Sequence, residues 1–509
     1  MPVISVIEIS PTAVEMIICE KSKNKIRILE NISEELNIFL GSEKVNCISF
    51  EKGRKLCIIL NKMKALSKDY GVKNILTVTT SSFDTVKNIL FILDQIKIKV
   101  GLDVEVFTNF EKKKLLFKKF LVRKKEIIPQ KKNTMLLNIG STTTDFFIIN
   151  GKKLMINESI STGGYKFAEL IQEHNLTSEE SMKFIEEYVD NYLEEIKKEA
   201  GRKKIGSVIL LGESENIFTG TEGELSVYSY DNLDKLVNKL KSQSFSGISK
   251  KFGTTPIQSV RTYARLCLLK YISSYFKISE TKIFYYDTKY LMAYEHFFPK
   301  EKKILEDELW DLTIQAVMDK ANKFSFHLGH STFVRKFSKD FFEVLSPLHN
   351  MGENEKKYLE LASYLHDTGK YINFSAHQKH SQYILTNSFI PGLVEDDLKI
   401  IGLLCRFHNV DSPIRVDNIE SMESIPSHKQ MDIMKLAAIL KLTVSLDRSK
   451  NQKAKEINLK LKGDEIIVHV VTEENYRIET IFFEHQKKFF KDIFGINPVL
   501  KLDRRRHGE

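Results

Sequence analysis

Residues 3–9 and 13–20 read VISVIEI and AVEMIICE, with SPT among the residues between them, and residues 135–150 read MLLNIGSTTTDFFIIN. Each stretch is an apolar, β-branched run, a turn of small or hydroxyl residues, and a second apolar run, which predicts strand–turn–strand. A chain that makes this unit twice, far apart in sequence, reads as the paired halves of one cleft. Between 50 and about 215, strands alternate with amphipathic segments such as SSFDTVKNILFILDQIKIKVG, the signature of α/β layers. From about 302 to 450 helical periodicity takes over. In HSTFVRKFSKDFFEVL it puts Phe333, Val334, Phe337, Phe341 and Phe342 on one face. After 455 strands return in EINLKLKGDEIIVHVVT, with a Gly-Asp turn, and a helical FFEHQKKFFKDIFG follows.

A tight turn of small residues points backbone N–H groups outward, and such a nest binds phosphate oxygens without side-chain charge. A carboxylate ending the first strand can hold Mg²⁺ against those phosphates. The same residues also make an ordinary turn. The charge distribution bears on the choice. The net charge of +10 comes from 77 Lys and Arg against 67 Asp and Glu, and residues 111–132, EKKKLLFKKFLVRKKEIIPQKK, set ten basic residues against Glu111 and Glu126. Two readings stand, a solvated helical face or a field that attracts a polyanion such as polyphosphate or nucleic acid.

No apolar run approaches the roughly 18 residues a membrane-spanning helix needs, and MPVISVIEIS lacks the basic n-region of a signal peptide. Five cysteines (Cys19, Cys47, Cys57, Cys267, Cys405) stand without a CxxC, as expected of reduced thiols in a cytoplasmic protein.

Eight of the thirteen histidines lie between 327 and 428. The pattern is His330, then His366-Asp367, then His377, His380 and His408. Histidine and aspartate from separate helices are how a helical bundle assembles a divalent metal site. His366 and Asp367 end the apolar run ELASYLHD, just before the stop signal of Gly369. His377 and His380 are expected to cap or hydrogen-bond near the cleft, and His327 to start a helix.

The order and wording of these segments resemble the exopolyphosphatase/guanosine-pentaphosphate phosphatase (Ppx/GppA) family within the actin-like ATPase superfamily. IEISPTAVEMII at 7–18 is similar to the family's first phosphate loop, and NIGSTTTD at 138–145 to its second. VFTNFEKKKLLF at 106–117 is similar to the stretch that carries the catalytic glutamate, and SVILLGES at 207–214 to the strand and turn closing the second half. The resemblance implies phosphate binding by Ser10, Thr12, Gly140, Ser141, Thr142, Thr143 and Thr144, with Lys112 beside them. It implies Mg²⁺ in the cleft on Glu8 and Asp145. Glu8 stands for the first aspartate and Asn138 for the second, which removes a charge from the metal shell. The family's general base aligns with Lys112, which leaves its neighbour Glu111 as the candidate base. A lysine cannot take up a proton near neutral pH unless its pKa is strongly depressed.

LHDTGKYINFSAHQKHSQYILTNSFIPG through CRFHN, and MKLAAILKLTVSLDRS at 434–449, resemble an HD-type metal-dependent phosphohydrolase domain. That resemblance implies a divalent metal on His330, His366 and Asp367. It aligns the domain's closing aspartate with Val444 and leaves Asp447 one helical turn on, about 4.5 Å along the axis. A structural or regulatory domain, a bound metal without turnover, and an active hydrolase all remain open.

The expected fold class is α/β, an actin-like (ribonuclease H-like) two-lobed phosphatase module followed by an all-α HD-like domain and a small C-terminal α/β segment. The boundaries are 1–130 for lobe I, 131–300 for lobe II, 301–450 for the helical domain and 451–509 for the end segment. Three functions follow. The first is release of terminal phosphate from inorganic polyphosphate or guanosine pentaphosphate, probed by phosphate release. The second is a catalytically impaired relative that binds polyphosphate or guanosine penta- or tetraphosphate as a regulator. The third is an HD phosphohydrolase. The resemblance also implies a homodimer, and neither a membrane nor a specific nucleic acid is an expected partner.

Overall fold

The computed structural model describes residues 2–504 apart from 12, 24, 37, 39–46, 81–82, 84–85, 128–132, 141–142, 151–152, 201–203, 213–224, 253–255, 286, 325–326, 410–421 and 423–424. It divides into two compact units, Met1–Leu312 and Thr313–Glu509. No helix among the described residues is long and apolar enough to cross a membrane.

The first unit contains two sheets. One is built from β1 (Val3–Ile9), β2 (Ala13–Ser22), β3 (Lys25–Glu35), β4 (Asn74–Thr79) and β5 (Glu105–Val106), in the order β3-β2-β1-β4-β5. The other uses β6 (Asn133–Ile139), β7 (Thr144–Asn150), β8 (Lys153–Ile160), β9 (Ile205–Gly212), β10 (Leu225–Ser229) and β11 (Glu280–Tyr285), in the order β10-β11-β9-β6-β7-β8. Without the extra edge strand β10, the second order repeats the first. In each, an antiparallel meander leads into parallel partners, β1–β4 and β6–β9. This is the ribonuclease H-like half made twice, the α/β architecture of the actin-like fold. β1 and β6 are buried along almost their whole length, so both read as continuous apolar runs rather than alternating ones.

Helices cover the sheets. On the first, Phe50–Asp69 and Ile89–Val100 bury Leu56, Leu60, Met63, Ile92 and Ile96 against Ile7, Val14 and Met16. On the second, Ser178–Ala200 buries Ser181, Ile185, Val189, Leu193 and Ile196, a helical stripe with period near 3.6. One element departs from the expected lobe boundary. The helix Thr288–Phe297 follows the second sheet in sequence but packs Ala293 and Phe297 on Ile4, Val6 and Ile17 of the first.

The second unit groups the helices Leu328–Val344, Glu353–Leu365, His377–Thr386, Glu395–Phe407 and Ser427–Ser445 with a three-stranded sheet. That sheet, β12 (Ala454–Lys462), β13 (Glu465–Thr472) and β14 (Asn497–Arg504), has the order β12-β13-β14, and Gly463 at φ 60° makes its first turn. The apolar face expected for Leu328–Val344 is buried, with Phe333, Val334, Phe337, Phe341 and Phe342 together with His330. The C-terminal α/β segment is continuous with these helices rather than separate. Tyr476 donates its hydroxyl to Leu446 O, and Glu479 accepts from Ser449 N at 3.1 Å. The expected boundary at 301 falls inside the helix Pro299–Lys323, and the division between units lies later on that helix.

Candidate functional site

In the first unit the two turns are built alike. Ile9 pairs with Val14 and Ile139 with Thr144, so the turns occupy equivalent registers. Ser10 N donates to Ala13 O at 2.9 Å, and Gly140 N donates to Thr143 O at 2.9 Å. The Ser10 hydroxyl is engaged within its own turn, 2.9 Å from Ala13 O and 3.0 Å from Ala13 N. Thr144 Oγ1 donates to Thr162 O at 2.8 Å. Thr12, Ser141 and Thr142, three of the expected phosphate ligands, lie outside the described residues.

Strand pairing sets Glu8 directly opposite Glu15, and Asn138 directly opposite Asp145. Two carboxylates side by side on one sheet face repel. The relief comes from Lys289 on the returning helix, whose buried Nζ lies 2.7 Å from Glu15 Oε2, 2.7 Å from Asp287 Oδ2 and 3.6 Å from Glu8 Oε2. Burial works to pull the Lys289 pKa down, but Asp287, Glu8 and Glu15 outweigh it and raise it above the ordinary lysine value. In the second hairpin Asp145, fully buried, accepts from Asn138 Nδ2 at 2.9 Å and Ser159 Oγ at 2.7 Å, and pairs with Lys113 Nζ at 3.1 Å.

Glu111, the candidate base, lies in the first turn of the helix Asn109–Ile127. Its Oε2 accepts from Thr108 N at 2.6 Å while Thr108 Oγ1 accepts from Glu111 N at 3.2 Å, a reciprocal cap that uses one carboxylate oxygen. Lys112 turns toward the second loop. Its Nζ lies 2.5 Å from where a Cβ on Gly140 would stand, so the ammonium occupies space that the glycine leaves open. The basic run therefore has several fates. Lys112 and Lys113 meet the second hairpin, whereas Lys118 and Lys119 are buried, 2.7 Å from Glu295 Oε1 and 3.2 Å from Thr288 Oγ1.

A cation in this cleft would have to displace ammonium groups. Mg²⁺ needs open carboxylate oxygens, and Glu8 and Asp145 already face ammonium groups, while Asn138 is neutral.

The second unit gathers its histidines. His366 caps the helix Glu353–Leu365, its N–H reaching Ala362 O at 2.9 Å, and Asp367 leads into the tight turn Thr368–Tyr371. Gly369 allows this turn to meet the next helix, since a Cβ there would stand 2.0 Å from His377 O. Ser381 locks the contact, accepting from Gly369 N at 2.8 Å and donating to His366 O at 2.7 Å. Around Asp367 Oδ1 lie His377 Nε2 and His408 Nε2, both at 3.6 Å, and His366 Nε2 at 3.8 Å. His330 Nε2 is 3.3 Å from His366 Nε2, and His377 Nε2 is 3.1 Å from His408 Nε2. Among the described residues two groups could hold an ion, His330 with His366 and Asp367, and Asp367 with His377 and His408. Asp367 Oδ2 faces outward to Lys370 at 2.7 Å and to Lys450.

Burial, first of all, lowers the pKa of His330, His366 and His377, the last to about 4. Burial opposes ionisation of Asp367, but His366, His408 and Lys450 hold it well below the usual carboxylate range. Burial brings Lys370 down to about 8 against the pull of Asp367, with Lys450 assisting.

Two sequence expectations need correction. Val444 lies in the last turn of the helix Ser427–Ser445, and the straight helical axis assumed for Asp447 stops there. Asp447 accepts from His330 Nδ1 at 2.9 Å instead of standing a helical turn away. His377 does more than cap, since its Nε2 meets His408, whereas the sequence reading gave neither a metal role. Lys289, Asp287, Glu15, Lys113, Lys370 and Lys450 were missed as well. Of these, Asp287 carried a local signal, as an aspartate N-cap accepting from Lys289 N at 2.8 Å.

Comparison with known proteins bears on both units. Residues 17–241 match the Ppx/GppA phosphatase family, and residues 312–486 match domain III of the Ppx/GppA phosphatases. Among solved structures, a Ppx/GppA family member from Aquifex aeolicus is 16% identical, with a TM-score of 0.49 over 59% of this chain and 98% of its own. An exopolyphosphatase from Cytophaga hutchinsonii is also 16% identical, with a TM-score of 0.49 over 58% of this chain and 98% of its own. On the two family matches, which between them take in most of the sequence, the chain belongs to the Ppx/GppA phosphatase family.

Proposed function

We propose that this protein is an exopolyphosphatase-type phosphatase that takes a polyphosphate-type anion, inorganic polyphosphate or guanosine pentaphosphate, at the second hairpin of its first unit. The carrying observation is the Lys112 ammonium seated against Gly140, with Lys113 behind it on Asp145. An ammonium over a glycine offers charge and donors at a position that itself puts no side chain in the way of a phosphate. Hydrolysis would transfer the terminal phosphoryl group to water, breaking the bridging P–O bond and releasing a chain shorter by one phosphate. Glu111 is the candidate to take the water proton, through the carboxylate oxygen that the helix cap does not use.

A second reading, a binding protein with little or no turnover, is favoured by a specific observation. The carboxylates that the family resemblance assigns to Mg²⁺ are paired with Lys289 and Lys113. Phosphate release from long-chain polyphosphate and from guanosine pentaphosphate, with Mg²⁺ and with a chelator, tests both. Release abolished by Glu111→Gln supports the phosphatase. Tight binding without release supports the binding protein, and neither binding nor release overturns both. Cytoplasmic location and homodimerisation belong to the same proposal, and fractionation and light scattering test them.

A further inference from the structure

The two helices that cover the first sheet turn an apolar face to solvent. Phe50–Asp69 and Ile89–Val100 lie side by side and run the same way, because three contacts join them in order. Phe50 and Phe91 meet edge to face with ring centroids 5.5 Å apart. A Cβ on Gly53 would stand 3.1 Å from Ile92 Cδ1, and Lys64 Nζ donates to Val100 O at 2.5 Å. The starts of the helices are tied as well, since Asn88 accepts from Ile48 N at 2.9 Å and donates to Ile48 O at 2.8 Å. The inner sides are buried on the sheet. The outer sides carry Phe50, Ile58, Leu90, Phe91 and Ile98, each between 43% and 79% exposed. Among the described residues from 2 to 127, Tyr70 at the end of the first helix is the one other large apolar side chain so exposed. Such residues are ordinary when scattered singly, but five on one rigid pair of helices make a surface for a partner.

The charge on the same face says which partner. Glu51, Asp69 and Asp94 are the acidic residues of the two helices, against eight lysines and arginines. Lys55 meets Glu51 at 2.7 Å and Lys97 meets Asp103 at 2.9 Å, both in exposed pairs. Arg54, Lys62 and Lys99 are exposed too, so the face is net positive. Phe50, Arg54, Ile58 and Lys62 stand one turn apart on the first helix, and apolar and cationic side chains therefore alternate along one line. A protein interface is depleted in lysine, and an isologous contact with a second copy would set this positive face against itself. An anionic bilayer suits it. The stems of lysine and arginine lie along the apolar layer with their charged heads at the lipid phosphates, while aromatic and aliphatic side chains reach past them.

We propose that the outer face of the helices Phe50–Asp69 and Ile89–Val100 docks on an anionic lipid bilayer, with Phe50, Leu90 and Phe91 at the level of the headgroups and Arg54, Lys62 and Lys99 on lipid phosphates. Two attractions act together there. A few apolar side chains alone, or a few cations alone, hold a protein to a bilayer only marginally. The attachment is peripheral and reversible, and it needs no spanning helix. The sequence gave no membrane partner because the face is shared between two helices, and the apolar stripe of each points into the core. The proposal does not rest on the reading of the phosphate-binding turns.

The test sediments the full chain with vesicles of phosphatidylcholine alone and with vesicles containing about one-third phosphatidylglycerol. The anionic vesicles should hold the wild type about tenfold or more tightly than the neutral ones, and added salt should release it. Arg54→Ala and Lys62→Ala should each weaken binding about fivefold. Phe50→Ser/Leu90→Ser should weaken it about tenfold or more, whereas Phe50→Trp keeps an aromatic ring and should retain it. These side chains are exposed, so circular dichroism and the denaturation midpoint should not move. Lys460→Ala/Lys462→Ala takes the same charge from exposed positions of β12 and should leave vesicle binding as it was. A wild type that ignores anionic vesicles overturns the proposal. So does Phe50→Ser/Leu90→Ser binding them as tightly as the wild type, whether or not the variant splits a dimer, or an equal loss in Lys460→Ala/Lys462→Ala, which would mean that net charge alone is at work.

Discussion

His330 Nδ1 and Asp447 Oδ2 lie 2.9 Å apart across 117 positions of sequence, and that contact fixes which nitrogen of His330 faces the centre. Asp447 serves three donors, the His330 ring and both the backbone and side-chain N–H groups of Gln452. An asparagine has one acceptor oxygen where the carboxylate has two, so Asp447→Asn must abandon at least one of them. We expect the variant to fold and its Mn²⁺ affinity to fall about 10- to 100-fold, as loss of an orienting partner usually causes. Titration calorimetry on the chelator-stripped chain checks this, and an unchanged affinity would remove Asp447 from the orienting role.

Gly369 is where two helical segments touch without a side chain between them. A Cβ there would stand 2.0 Å from His377 O and 2.4 Å from Ser381 N, both backbone atoms that cannot swing aside. Gly369→Ala should therefore cost about 1–3 kcal/mol or more of stability, the usual range for overpacking. It should also separate His377 from His408. Chemical denaturation reads the first effect and Mn²⁺ stoichiometry the second.

The sequence carried the fold well because β1–β2 and β6–β7 are local, and apolar runs around small turns specify hairpins without help from distant residues. The candidate sites were harder to read for a physical reason. Glu8 meets Glu15 through local pairing, but the ammonium between them comes from Lys289 on a helix that crosses back from the far end of the unit. No spacing in the sequence encodes such a contact. Asp447 was misjudged because displacement was measured along a helix axis that stops at Ser445. His377 and His408 stood in the histidine pattern, but no spacing shows that their Nε2 atoms meet at 3.1 Å, a contact made between two helices.

The Lys112 ammonium on the Gly140 turn makes a prediction for anion binding that is separate from turnover. Lys112→Ala should weaken long-chain polyphosphate binding, measured with chelator present, by about tenfold or more, since charge-assisted hydrogen bonds contribute about 1.5–3 kcal/mol. Lys112→Glu should weaken it further, because a carboxylate there repels the chain. Unchanged affinity in both variants would place the anion elsewhere on the molecule.

Lys289 offers the sharpest test of the first unit's electrostatics. Its side chain is 3% exposed and faces Glu8, Glu15 and Asp287, so Lys289→Met takes from three carboxylates the ammonium they share. Removing one side of a fully buried ion pair costs about 3–5 kcal/mol. With Glu15 41% and Asp287 23% exposed, the loss should fall below that range, and Lys289→Met/Glu15→Gln should recover part of it by removing one repelling charge. The pH dependence has a definite sign. The carboxylates raise the folded-state pKa of Lys289 above its ordinary value, against the effect of burial. A raised pKa means that the Lys289 contribution is fully present below the unfolded value of about 10.4 and is lost only as pH climbs through the folded one. The stability difference between wild type and Lys289→Met should thus stay level from pH 7 to about 9, and shrink only in stronger alkali. Denaturant midpoints at several pH values measure it directly. A difference that disappears between pH 7 and 9 would mean that Lys289 loses its proton there, and that the carboxylates of the first hairpin do not hold an ammonium group at all.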